Sequence, residues 1–309
     1  MRIVFCGTPE FALPTLQRLI AEPDFSVETV VTQPDRPRGR GQEIASSPVK
    51  DAALDAGIHV FQPEKIKSDS ALELFKRIAP DAVVIIAYGQ IVPARLLEIP
   101  RLGWINLHAS LLPKYRGAAP INWAVVNGET RTGLTTMRID AGMDTGPTLL
   151  RWGTEISPDE TAPQLARRMA DAGPELMVDT LSKYDRGEIA PSPQDHTQAT
   201  LAPMLRREDG RIDWSHTAGQ IYNRMRGLEP WPGTFTTFRG QLCHLWGRPA
   251  ETREDAQPGT LIMRGSDVFV ACAENTRLRL EFVKVEGKKR TAAREWANGA
   301  RLRPGDKFD

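Results

Sequence analysis

The run Ala82-Val83-Val84-Ile85-Ile86-Ala87 constrains this chain more than any other stretch. A continuous apolar run of that length suits a strand covered on both faces, as in a parallel sheet clothed by helices. The segments around it agree. Strand-like patterns at 1–6, 26–32, 58–61, 104–109, 133–139 and 147–152 alternate with helix-like ones at 10–21, 45–56, 69–78, 118–127 and 160–184. This alternation predicts a doubly wound α/β sheet.

Beyond it the pattern changes. Residues 190–205 begin with Pro191-Ser192-Pro193-Gln194-Asp195-His196, polar and proline-rich, and read as a linker. A helix is expected over 216–227. Short β-like runs broken by Gly and Pro follow (234–238, 241–247, 259–263, 267–272, 277–285), the pattern of a small β-barrel. A chain of 309 residues suits two domains. The expected division is a first domain over 1–189, a linker over 190–205 and a C-terminal barrel over 206–309.

With 40% hydrophobic and 26% charged residues, composition fits an ordinary globule. No apolar run approaches the roughly 20 residues that cross a bilayer, so no membrane association is expected. Cys6, Cys243 and Cys272 are odd in number and far apart, which favours a reduced, cytoplasmic setting. The strand-like Met1–Cys6 opens the sequence, and no signal peptide is expected. Residues 201–309 carry 19 Lys and Arg against 14 Asp and Glu, whereas 1–200 carry 21 against 25. A mildly basic second half can lean on a polyanion or be merely a solvated surface.

Asn106 and His108 stand at i, i+2 in strand-like Trp104–Ala109, so both side chains leave one face. Asp144 lies in a separate glycine-bounded loop, Gly142-Met143-Asp144-Thr145-Gly146. A carboxamide, an imidazole and a carboxylate supply an oxyanion donor, a proton-transfer group and an orienting anion, the equipment of acyl transfer. Other chemistries fit less well. Gly7 stands alone where a dinucleotide-binding loop needs three glycines, and the five histidines show no metal-ligand spacing, so no metal is expected. No G-x-S-x-G elbow is present for a serine nucleophile. Gln33–Gln42 holds three arginines among prolines and glycines, a loop suited to phosphate contact or to plain exposure.

Asn106-Leu107-His108, Ser110-Leu111-Leu112-Pro113 with Tyr115-Arg116-Gly117, and Gly142-Met143-Asp144 together resemble the folate-dependent formyltransferases. Thr32–Pro37 with Gly39-Arg40-Gly41, and Ala202–Met204 through Arg211–Trp214, are similar to the branch acting on methionyl-tRNA. The match runs through both halves in order. It implies a Rossmann-like catalytic domain, an oligonucleotide-binding-type barrel, and formyl transfer from 10-formyltetrahydrofolate to methionyl initiator tRNA. It implies catalytic roles for Asn106, His108 and Asp144, and folate binding by Ser110, Leu111, Leu112 and Pro113, with Tyr88 and Gly89 lining the same pocket. It also implies tRNA contact by the arginine loop, with Arg36, Arg38 and Arg40. Arg38 and the Gln42-Glu43 pair depart from more lysine-rich versions of that loop.

Lys288-Lys289-Arg290, the sole tight basic run, is a further candidate for phosphate contact. Trp231, Phe235, Phe238 and Trp246 are expected in the barrel core rather than on a base-stacking surface. A monomer is expected. The rival readings are a formyltransferase for a small amine such as a sugar nucleotide or glycinamide ribonucleotide, a formyltetrahydrofolate hydrolase, and a non-catalytic RNA-binding protein.

Overall fold

The apolar run at 82–87 becomes the middle of a sheet. A computed structural model describes residues 1–38, 43–251 and 255–309, with only the backbone of Arg38, Glu43 and Ile44 included. In chain order its first part comprises β1 (Arg2–Gly7), α1 (Leu13–Ala21), β2 (Ser26–Val31), β3 (Arg36–Arg38), β4 (Glu43–Ala45), α2 (Pro48–Asp55), β5 (Val60–Phe61), α3 (Asp69–Ile78), β6 (Ala82–Ile86) and α4 (Ala94–Leu97). It continues through β7 (Trp104–His108), α5 (Pro120–Val126), β8 (Arg131–Arg138), β9 (Thr148–Glu155) and α6 (Ala162–Asp185). Seven strands form one sheet in the order β5-β2-β1-β6-β7-β8-β9.

All five residues of β6 are buried because β1 and β7 flank it and helices cover both faces. On one face, α3 starts at Ser68, whose hydroxyl accepts from Ala71 N–H at 3.2 Å. Its Ala71, Leu74, Phe75 and Ile78 recur at helical spacing and pack on Val83, Ile85 and Trp104. The Phe75 and Trp104 rings stack at 5.2 Å. The opposite face is met by α6, where a Cβ on Gly173 would stand 2.7 Å from Leu107 Cδ2. Strands β1, β2, β5, β6 and β7 are parallel, so the sheet is doubly wound as expected, while β8 and β9 run antiparallel at its edge.

The chain divides into two compact units, one of residues 1–120, 131–155 and 166–203, the other of 121–130, 156–165 and 204–309. The proline-rich stretch read as a linker is paired within the first unit: Ser192 bridges Thr148, and Leu201 bridges Arg116.

The second unit holds α7 (Ala218–Gly227), β10 (Phe235–Phe238), β11 (Gln241–Ala250), β12 (Leu261–Arg264), β13 (Asp267–Ala271), β14 (Arg277–Val285), β15 (Thr291–Ala292) and α8 (Ala293–Ala300). Its strands form a six-stranded antiparallel sheet, β10-β11-β14-β13-β12, with β15 added to β14. Thr217 and Gln220 cap α7 reciprocally. Phe238, Trp296, Phe308 and Trp214 form a ring cluster with centroid separations of 5.2–5.8 Å. Phe238 is core as expected, but Trp231 is 55% exposed. It lies between Pro230 and Pro232, outside any strand. Among the described residues no helix is long and apolar enough to cross a membrane.

Candidate active site

Alternation along β7 sends Trp104, Asn106 and His108 to one face, with Leu107 to the other. The Asp144 loop reaches that face by an indirect route. In the β7–β8 register Arg138 lies opposite Ile105, three positions before His108. The 139–147 loop must therefore fold back about 10 Å along β7, at ~3.3 Å per residue, to bring Asp144 to the ring. A Cβ on Gly146 would sit 1.8 Å from the Arg138 carbonyl oxygen, so only glycine permits this close return.

His108 is 5% exposed and engaged at both nitrogens. Nε2 lies 2.9 Å from the Tyr115 carbonyl, which only accepts, so Nε2 carries the proton. Nδ1 lies 3.5 Å from Asp144 Oδ2. The same carboxylate oxygen accepts from the Gly117 N–H at 2.8 Å. Asp144 adopts φ +53°, left-handed backbone that short polar residues tolerate better than most. The Asn106 carboxamide is half-buried and, among the described residues, makes no side-chain hydrogen bond. It is free to receive a developing charge.

The segment after β7 is anchored from below. Buried Thr135, opposite His108 in register, donates to the Ser110 carbonyl at 2.7 Å and accepts from the Leu112 N–H at 3.1 Å. Ser110 Oγ donates to the Lys114 carbonyl at 2.6 Å. Ser110 and Leu112 are each 1% exposed, whereas Leu111 and Pro113 are half-buried. The Tyr88 ring is also buried, among Val4, Cys6 and Val31, and its hydroxyl lacks a partner among the described residues. Burial pushes that phenol well above its usual range. Tyr88 therefore faces the neighbouring space with its backbone.

That space is a cleft of about 700 Å³ lined by Thr8, Gln33, Asp35, Arg36, Tyr88 and Gln90, among others, with Gly89 at its edge. These residues follow β1, β2 and β6, at the carboxyl ends where open α/β sheets bind ligands. His108 ends β7, the next strand along. Gln33 organises the wall: its Nε2 donates to the Tyr88 carbonyl at 2.8 Å and its N–H to Thr8 Oγ at 3.0 Å. Asp35 accepts from Gln62 Nε2 at 3.0 Å and pairs with Lys50. In the sequence Gln33 stands out only as part of the arginine loop, and nothing singles out Thr135.

Of the expected tRNA-contacting residues, Arg36 is exposed at the cleft, the Arg38 side chain and all of Arg40 lie outside the described residues, and Lys288 and Lys289 are exposed. Arg290 is clamped, its guanidinium 4.3 Å from the Trp246 ring centre and 4.0 Å from that of Phe282. An arginine held between two rings has its direction fixed. Among the described residues no cluster of three His, Cys, Asp or Glu could hold a metal ion.

Residues 1–181 match the family model described as Formyl transferase, and residues 204–301 the one described as Formyl transferase, C-terminal domain. Fold and family models thus define a formyl transferase, an enzyme class served by a formyl-tetrahydrofolate donor. A methionyl-tRNA formyltransferase of Solibacter usitatus is 52% identical over 309 residues, spanning 100% of this chain and 98% of that protein. One of Koribacter versatilis is 50% identical over 311 residues, again spanning 100% and 98%. The chain belongs to the methionyl-tRNA formyltransferase family. Among solved structures, the sugar 3N-formyl transferase WlaRD, crystallised with dTDP and 5-N-formyl-THF, has a TM-score of 0.68 at 16% identity. That match covers 94% of this chain and 99% of the other and speaks to the fold alone.

Proposed function

We propose that this chain passes the formyl group of 10-formyltetrahydrofolate to the α-amine of methionyl initiator tRNA, with Asn106, His108 and Asp144 as its catalytic residues. The observation that carries the reading is the buried His108 ring held between the Tyr115 carbonyl and the Asp144 carboxylate, two positions from an unengaged Asn106 carboxamide. The amine attacks the formyl carbon and its oxygen becomes an oxyanion. Asn106 donates to that oxygen; one such donor is typically worth about 3–4 kcal/mol. The bond from carbon to the folate N10 then breaks. The amine must lose a proton and N10 must gain one, and we assign this exchange to the His108–Asp144 pair acting as a unit. General acid–base help of this kind contributes about 10²–10⁴-fold.

Leu111, Pro113 and the backbone at Ser110, Leu112, Tyr88 and Gly89 are assigned to the folate. Arg36, Arg38, Arg40, Lys288, Lys289 and Arg290 are assigned to tRNA phosphates. Of the expected division, 1–189 is assigned to catalysis and 206–309 to tRNA binding, while the stretch expected to connect them over 190–205 is, up to residue 203, paired within the first unit and counted with the catalytic part. Three cysteines left as free, buried thiols support a reducing cytoplasm as the place of work. A monomer is the assigned state.

The test supplies purified protein with 10-formyltetrahydrofolate and, in parallel, methionylated initiator tRNA, methionylated elongator tRNA and a dTDP-amino sugar. Formylation of the initiator alone is expected. Preferential formylation of the sugar, or folate hydrolysis without acceptor, overturns the reading.

A further inference from the structure

We propose that Gln194 is a positioning residue for formyl transfer, clasping the Asp144 loop to Arg116 so that the carboxylate meets His108. The inference rests on the catalytic reading of His108 and Asp144 above. Gln194 is 6% exposed and uses its whole amide. Its Nε2 donates to the Asp144 carbonyl at 2.9 Å and to the Gly146 carbonyl at 2.7 Å. Its Oε1 accepts from Arg116 Nη2 at 2.6 Å and Nε at 3.2 Å. Two donors and one twice-used acceptor on a single planar group describe a carboxamide; a carboxylate lacks the donors and an aliphatic side chain lacks everything.

Arg116 is itself 6% exposed and fixed. Its Nη2 meets His196 Nδ1 at 3.1 Å, its N–H donates to the Thr200 carbonyl at 2.8 Å, and its carbonyl accepts from the Ala202 N–H at 2.7 Å. Its two neighbours touch the reacting pair directly: the Tyr115 carbonyl takes His108 Nε2, and the Gly117 N–H takes Asp144 Oδ2. Segments 115–117, 144–146 and 194–202 therefore close a circuit around the imidazole and carboxylate. Within it, Gln194 is the link between the backbone that presents Asp144 and the arginine between Tyr115 and Gly117. Asp144 sits in left-handed backbone at φ +53°, and the clasp on its carbonyl fixes that turn. A misplacement of about 1 Å at a reacting group commonly costs about 10²-fold in rate.

Single-turnover formylation of methionyl initiator tRNA tests this with Gln194→Met, Gln194→Glu, Asp144→Asn and the double variants. Gln194→Met removes both arms of the clasp. Gln194→Glu keeps the arginine arm and loses the donors. Each is expected to slow kcat by about 30–300-fold while the folate KM stays within about threefold. In the Asp144→Asn background the same substitutions should cost less than about threefold, because the group they position is already disabled. Equal losses in both backgrounds, or near-wild-type rates for both Gln194 variants while Asp144→Asn is impaired, overturn the inference. Wild-type rates for Asp144→Asn instead sink the catalytic reading itself. If Gln194→Met melts early, Gln194→Glu with an unchanged melting temperature decides.

Discussion

Thr135→Val removes one hydroxyl and changes almost nothing else, so its effect can be worked out from the structure. Thr135 is fully buried and stands opposite His108. Its oxygen is the partner of the Ser110 carbonyl at 2.7 Å and of the Leu112 N–H at 3.1 Å, in residues each 1% exposed. Valine keeps the shape and strands both backbone groups away from water. A buried polar group left unsatisfied costs about 1–3 kcal/mol, so the pair should cost about 3 kcal/mol after local relaxation. For a folding unit of this size that corresponds to a fall in Tm of roughly 6–12 °C. Thr135→Ser keeps the hydroxyl and loses one methyl, worth about 1 kcal/mol. Because the 110–113 segment continues directly from His108, Thr135→Val should also lower kcat about tenfold, since small displacements at a site are felt steeply. Thermal melts and single-turnover rates on wild type and both variants give the answer. A valine variant melting within about 1 °C of wild type, or a serine variant worse than valine, would refute the claim that this hydroxyl holds the loop.

Three further outcomes are expected. Asp144→Asn removes a unit charge 3.5 Å from His108 Nδ1. Losing the carboxylate that orients the ring forfeits help worth about 10²–10⁴-fold, so a loss of at least about 10²-fold in single-turnover rate is expected. Arg40→Ala should raise the KM for initiator tRNA while folate binding, followed by fluorescence or calorimetry, is unchanged; equal loss of both points to misfolding. Asp81 accepts from the Arg2 N–H at 2.7 Å and pairs with Arg101, and these contacts hold its carboxyl below the usual range. A lowered folded-state value means that its stabilisation is present above about pH 4 and fades as pH falls through that lower value. The Tm gap between wild type and Asp81→Asn should therefore close on acidification from about pH 6 to pH 3.

Much of this architecture was legible from pattern, and the exceptions have physical causes. The helix at 69–78 announces itself because Ser68 caps it and its apolar residues recur at helical spacing. The run at 82–86 reads as a central strand because nothing polar interrupts it. Helix α8 is invisible because its eight residues Ala293–Ala300 span barely two turns, lack a side-chain cap and include Asn298-Gly299, which reads as a turn; packing of Trp296 on the core holds it. In the site, Asn106 and His108 declare themselves through strand periodicity, and Asp144 through its glycine-bounded loop. The Tyr115 carbonyl and Gly117 N–H do not, because backbone groups carry no letter of their own. Arg116 and Gln194 are 78 residues apart, and neither shows an amphipathic or motif signal that pairs it with the other. A proline-rich polar stretch looks the same in sequence whether it hangs between domains or lies against one.

That last stretch bears on how the molecule can be divided. A fragment ending at residue 189 would retain every strand of the mixed sheet together with Asn106, His108 and Asp144, and by those criteria would pass for a complete enzyme core. It would nonetheless lack Ser192 beside Thr148, Gln194 beneath the returning loop, and Thr200 and Ala202 along Arg116. A cut before residue 203 thus removes part of the first compact unit, and because segments 121–130 and 156–165 group with the second unit, no single cut in this chain separates the two.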